Sequence, residues 1–178
     1  MKKWTPHELI FMALCCDIGL ISKKVISPMT NVVTDYLHIP GGIATSFSLI
    51  FILLAAILVD QDFSATLMSF IQSILAIIFG TVGSMGALAP IGYVIPGIMI
   101  DIVIAIVRHS HHDITKAIIP ASMLASLGAC LTANIIVFRL PLIPLLLYGC
   151  VSLTSGAICG WICELLATRL QKAIHFKH

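Results

Sequence analysis

The chain has 178 residues, with ten Lys and Arg against eight Asp and Glu, a net charge of +2, 59% hydrophobic residues and a mean hydropathy of +1.08. Charged residues make up 10% of it, where a soluble domain carries about a quarter, so its helices must be apolar nearly all round. An ordinary soluble globule is excluded, and no nucleic-acid partner is expected.

The expected fold is an all-α membrane protein, one domain over residues 1–178, with six transmembrane helices and the lipid bilayer as solvent. A span needs about 20 mostly apolar residues, and six stretches come close: residues 7–26, 44–59, 63–83, 88–107, 116–138 and 142–170. Lys2 and Lys3 ahead of the first stretch resemble the start of a secretory signal. However, Asp17 and the Lys23-Lys24 pair interrupt its apolar run and no small-x-small cleavage site follows, so the mature protein is expected from Met1 onward.

The next segment is expected to be a long first extracellular loop. Pro28 disfavours helix beyond Ser27, and Pro40-Gly41-Gly42 makes a turn before the second span. Between them lie Asn31, Thr34, Asp35, Tyr36 and His38 among Val32, Val33, Leu37 and Ile39, which are too apolar for a disordered tail. A packed lid is the expected form. Further along, "GTVGSMGALAPIGYVIPG" divides the third span from the fourth and permits either close backbone approach to a ligand or close helix packing. It follows no strand, so it is not a nucleotide loop.

"RHSHHDITK", residues 108–116, joins the fourth and fifth spans. Its imidazoles and Asp113 suit zinc, copper or nickel, but it lacks the i, i+4 pairing or Cys-x-x-Cys partner of a specific motif and is read as a solvated basic loop. Cys15, Cys16, Cys130, Cys150, Cys159 and Cys163 fall within predicted spans and read as packing residues rather than a disulfide framework.

Orientation follows from the basic residues. With six spans and both termini cytoplasmic, the inner side holds Lys2, Lys3, Arg108, Lys116, Arg169, Lys172 and Lys177, and the outer side Lys23, Lys24 and Arg139. The excess falls inside, as the positive-inside rule requires. Ionisable groups in a span face a cavity or a partner. Asp17 either pairs with a lysine or serves a cavity, while Lys23, Lys24 and Arg139 are all in reach of one outer cavity. Asn134, one turn before Arg139, and Met85 and Tyr93 complete the candidate substrate-binding set of Lys23, Asn31, Tyr36, His38, Met85, Tyr93, Asn134 and Arg139. No nucleophile–base pair, zinc-protease motif or nucleotide loop is present, so no enzymatic activity and no resident cofactor or metal is expected.

This architecture, with a first connection ending in "LHIPGG" and a second helix opening "IATSFSLIFILLAAILV", resembles the S components of energy-coupling factor (ECF) transporters. The resemblance implies a multi-pass protein of a bacterial plasma membrane that captures a micronutrient from outside. It also implies docking on a membrane T subunit driven by two cytoplasmic ATPase subunits, which use the ATP. Such proteins present small residues of the first helix to the T subunit; here the nearest equivalents are Ala13, Cys15 and Gly19. Three outer cations favour a carboxylate- or phosphate-bearing substrate. Haem is the leading candidate, with His38 as metal ligand only in that case; another anionic vitamin is the alternative substrate. A non-ECF membrane scaffold or a secondary transporter is the alternative class.

Overall fold

The structure, a computed structural model, describes residues 5–36, 43–59, 61–80, 86, 88–110 and 114–173, apart from the side chains at 31, 33–35, 43, 44, 116 and 171–173. The described residues form six α-helices and no strand: α1 (Pro6–Tyr36), α2 (Ile43–Val59), α3 (Ser64–Ile78), α4 (Ala89–His109), α5 (Ile118–Ala133) and α6 (Leu142–Ala173). A 3-10 turn, Ile114–Ala117, leads into α5, and a π-helical turn, Asn134–Phe138, ends it.

The fourth, fifth and sixth helical stretches, Ala89–His109, Ile118–Phe138 and Leu142–Leu170, are long and apolar enough to cross a membrane. Thr45–Val59 and Ser64–Ile78 are shorter apolar helices. The outer surface is rich in large apolar side chains, among them Ile106, Ile143, Leu146, Ile158 and Trp161, far more than a soluble monomer exposes as a contiguous patch.

The uncharged helix α2 is the hub. It packs against α1, α3, α5 and α6, and Ile52, Leu53, Ala55 and Ala56 are sealed from solvent. An all-apolar helix is stable only when neighbours or lipid cover it on every side, and here the neighbours do.

The helices approach through small and hydroxyl-bearing residues. A Cβ placed on Gly97 of α4 would lie 2.8 Å from the Ala65 carbonyl oxygen of α3 and collide with the Ser69 side chain. On α6, Gly156 and Gly160 lie one turn apart against α5; a Cβ on Gly156 would meet the Ser122 carbonyl oxygen at 2.9 Å. Such spacing lets backbones approach closely where large side chains would hold them apart.

Hydroxyls link the same seams. Ser46 of α2 shares hydrogen bonds with Ser126 of α5 at 3.1 Å and Ser155 of α6 at 3.0 Å, and Ser152 donates to the Ser126 carbonyl oxygen at 2.6 Å. Gln72, fully buried on α3, accepts from Ser48 of α2 and donates to the Cys16 carbonyl oxygen of α1, both at 3.4 Å. The six cysteines are unpaired thiols. Those of Cys16 and Cys163 approach the carbonyl oxygens of Met68 and Ile50 at 3.6 Å, across helix interfaces.

Two sequence expectations need correction. The segment expected as a long first loop is helical as far as Tyr36, and α1 runs straight through Pro28. Proline removes one helix hydrogen bond, here the one to the Lys24 carbonyl oxygen; two residues on, the Thr30 hydroxyl donates to the carbonyl oxygens of Ile26 and Ser27, both at 3.1 Å. Val32 and Tyr36 are 71% and 87% exposed, so this part of the expected lid is an outward-facing helix. The third helix stops at Ile78 rather than near Gly83, because Gly80 takes φ +65° and its N–H caps the Ile77 carbonyl oxygen at 3.1 Å.

Gly97→Val is expected to destabilise the protein by about 1–3 kcal/mol through overpacking of the α3–α4 contact. Thermal unfolding of the detergent-purified protein, followed by circular dichroism, measures it.

Candidate functional site

Lys23 lies on α1 about 26 Å along its axis from Pro6, at 1.5 Å per residue. Tyr93 lies one turn into α4. The two side chains meet between the second half of α1 and the first turns of α4. Lys23 Nζ donates to Tyr93 Oη at 2.6 Å and stands 4.1 Å from the ring centroid, so the ammonium has a hydroxyl acceptor and the negative face of an aromatic ring together. Among the described residues no carboxylate lies within ion-pair distance of Lys23. Tyrosine supplies a dipole and a quadrupole but no countercharge, and a partly desolvated cation is stabilised most by an anion.

Asn134 and Arg139 meet in a different way. The π turn opens at Asn134, whose carbonyl oxygen accepts from the Arg139 N–H at 2.7 Å, and its side-chain Oδ1 accepts from the Leu140 N–H at 2.8 Å. Arg139 takes φ 45° to close this cap and its side chain is exposed. Asn134 therefore spends its side-chain acceptor on the turn between α5 and α6. Beside it, Phe138 stands edge-on to the buried Tyr148, with ring centroids 6.2 Å apart.

Of the eight predicted substrate-binding residues, Lys23 and Tyr93 touch each other, and Asn134 and Arg139 share one turn. Tyr36 is exposed at the end of α1. Asn31 lies on α1 with its side chain outside the described residues, and His38 and Met85 lie outside them altogether. Of the predicted docking residues, Ala13 is exposed, whereas Cys15 is 5% exposed and Gly19 faces Gln72 and Phe51. The Cys15–Gly19 face is thus filled by α2 and α3, and the surface a partner can reach carries Ala13 and Asp17. In the histidine-rich segment His109 is exposed, while His111, His112 and Asp113 lie outside the described residues. Among the described residues no three His, Cys, Asp or Glu side chains come together as a metal site.

The opposite end holds a cluster absent from the sequence expectations. Asp101 is the one charged residue in residues 89–107. Its carboxylate reaches from α4 to the start of α3, accepting from the Ala65 N–H at 3.2 Å, the Thr66 N–H at 2.7 Å and the Thr66 hydroxyl at 2.6 Å. The residue preceding α3, Phe63, is left-handed at φ 60° and offers no side-chain cap, so Asp101 satisfies the orphan N–H groups from another helix. Its isolation in an apolar run was the available signal; its partner was not visible, because it lies 35 residues away. Nearby, Arg108 pairs with Asp62.

Asp101→Ala is expected to cost about 2 kcal/mol, since three donors lose a charged acceptor, and Asp101→Asn less, since one carbonyl oxygen remains. Urea or thermal titration of the two variants against the parent checks the order.

No family model matches the chain, and neither the curated proteins nor the solved structures contain a significant match to it.

Proposed function

We propose that the protein is a membrane-embedded capture component of the ECF S type. It would bind an anionic micronutrient at the Lys23–Tyr93 end of the bundle and pass it inward with a T subunit and two ATPases. The observation that carries this reading is the ammonium of Lys23, held between α1 and α4 by a phenol with no carboxylate at ion-pair distance among the described residues. An incoming carboxylate or phosphate supplies the missing countercharge and stays linked to both helices through Lys23 and Tyr93. The apolar outer surface and the length and apolarity of the stretches Ala89–His109, Ile118–Phe138 and Leu142–Leu170 support placement in a bilayer, and the positive-inside distribution supports an outer position for Lys23.

Haem is the first substrate to test, because its propionates suit Lys23 and its iron suits the imidazole of His38. Other acidic vitamins share the first of these contacts and lack the second.

The test is extraction of small molecules from the detergent-purified protein, read by mass spectrometry and visible absorption, together with identification of co-purifying subunits. The expected result is a retained acidic molecule whose affinity falls about tenfold or more in Lys23→Ala, from loss of one charged hydrogen bond. ATPase subunits are expected to co-purify. A Soret band lost in His38→Ala identifies haem. Unchanged affinity in Lys23→Ala removes the site, and a protein that retains no ligand and no ATPase overturns the whole reading.

A further inference from the structure

Asp17 is the one acidic residue between Glu8 and Asp35, and α1 turns it outward. On the same face, at i−7, i−4, i−3 and i+4, stand Ile10, Ala13, Leu14 and Ile21, all of them exposed. The carboxylate takes part in no ion pair and no hydrogen bond among the described residues. Lys24, also exposed, is seven residues further on, about 10 Å along the helix axis. Asp17 thus interrupts an outward apolar stripe.

Its depth follows from the packing behind it. The thiol of the preceding residue, Cys16, lies 3.6 Å from the Met68 carbonyl oxygen of α3. The next residue of α3, Ser69, is the one that Gly97 packs against, and Gly97 lies near the middle of the stretch Ala89–His109, which is long and apolar enough to cross a membrane. Two residues past Asp17, Gly19 faces Gln72, Phe51 and Ser48, near the centres of α3 and α2. Asp17 therefore stands level with the middle of the bundle, where a bilayer is hydrocarbon. A carboxylate at that depth is expensive in lipid and is met with a partner.

The chain's own cations do not serve. Among the described side chains Arg108, Arg139 and Arg169 stand toward helix ends, and Lys23 is turned to Tyr93. A second copy does not serve either, because a twofold axis along the bilayer normal sets Asp17 against Asp17, two like charges. We propose that the outward face of α1 around Ala13 and Asp17 docks a membrane helix of another protein, one that carries a lysine or arginine near its midpoint. Ala13, one turn from Asp17, lets the two backbones approach, and Ile10, Leu14 and Ile21 close over the ion pair. The inference takes only the bilayer placement from the proposed function and does not depend on the ligand.

The experiment places the full-length protein, carrying a donor fluorophore at its C-terminus, in phosphatidylcholine vesicles. Synthetic leucine–alanine helices of about 20 residues, carrying an acceptor and a central Lys, Leu or Glu, are added to the bilayer. Energy transfer reads association, and a carbodiimide that joins carboxyl to amine, taking up the water released, marks the contact for mass spectrometry. The Lys-centred helix is expected to associate about tenfold more strongly than the Leu-centred one, the worth of one charged hydrogen bond, with the new amide at Asp17. Asp17→Leu abolishes the preference, and Asp17→Lys transfers it to the Glu-centred helix; the residue is exposed, so neither change enters the core. Equal association of the Lys- and Leu-centred helices, or a preference unchanged in Asp17→Leu, overturns the proposal. Transfer between two labelled copies that is lost in Asp17→Leu also overturns it and assigns the face to a second copy. Failure of the parent to float with the vesicles overturns the bilayer placement, and the proposal with it. A preference at Asp17 in a protein that retains no ligand upholds the proposal while the capture reading falls alone.

Discussion

Close helix approach through glycine and serine is the constraint on which the rest of the bundle turns. Where lipid is as apolar as the helix surface, burial alone gives helices little reason to prefer one another, and van der Waals contact with interhelical hydrogen bonds decides the partners. Gly97 against Ser69 fixes α4 on α3, and Gly156 with Gly160 against Ser122 and Ser126 fixes α6 on α5. Ser46 ties α2 to α5 and α6. These contacts are short, directional and spread over several interfaces, so they set the mutual positions of helices whose apolar faces are otherwise nearly interchangeable.

The charged groups sit where that scaffold ends. Lys23 and Tyr93 join α1 to α4 at one end, and Asp101 joins α4 to α3 toward the other. Helix α4 therefore carries both connections and is anchored at its middle by Gly97. A ligand that changes the distance between Lys23 and Tyr93 acts on the same helix that holds the start of α3. The two ends lie on one continuous helix, with Pro96 and Gly97 between them.

The helical class and six helices of roughly the right extent were legible because long apolar runs leave few other options. The second, fourth and sixth stretches match α2, α4 and α6 within a few residues at each end. The path beyond Ser27 was not legible. Pro28 carries a local preference against helix, yet the loss of a single hydrogen bond does not end a helix that continues on both sides of it. The end of α3 was misplaced because several glycines were available as stops and only the conformation at Gly80 selects among them. At the candidate site, scarcity of charge picked out Lys23, and its place in the glycine-rich third connection picked out Tyr93. Their contact depends on the packing of α1 against the α3–α4 pair, which no local pattern encodes. Asn134 shows the converse: its residue type suits a ligand, yet its side-chain oxygen serves the backbone of its own turn.

On the membrane placement proposed above, the cap that α3 receives from Asp101 would also bear on how the chain enters a bilayer. Until α4 is beside it, the first turn of α3 has free N–H groups and a left-handed Phe63 with nothing to offer them. In hydrocarbon such groups cost several kcal/mol each. Asp101 alone in lipid is equally unfavourable, since an unpartnered carboxylate there is expensive. Each helix carries the remedy for the other's defect, so on that placement α3 and α4 would enter the bilayer as a helical hairpin, already paired.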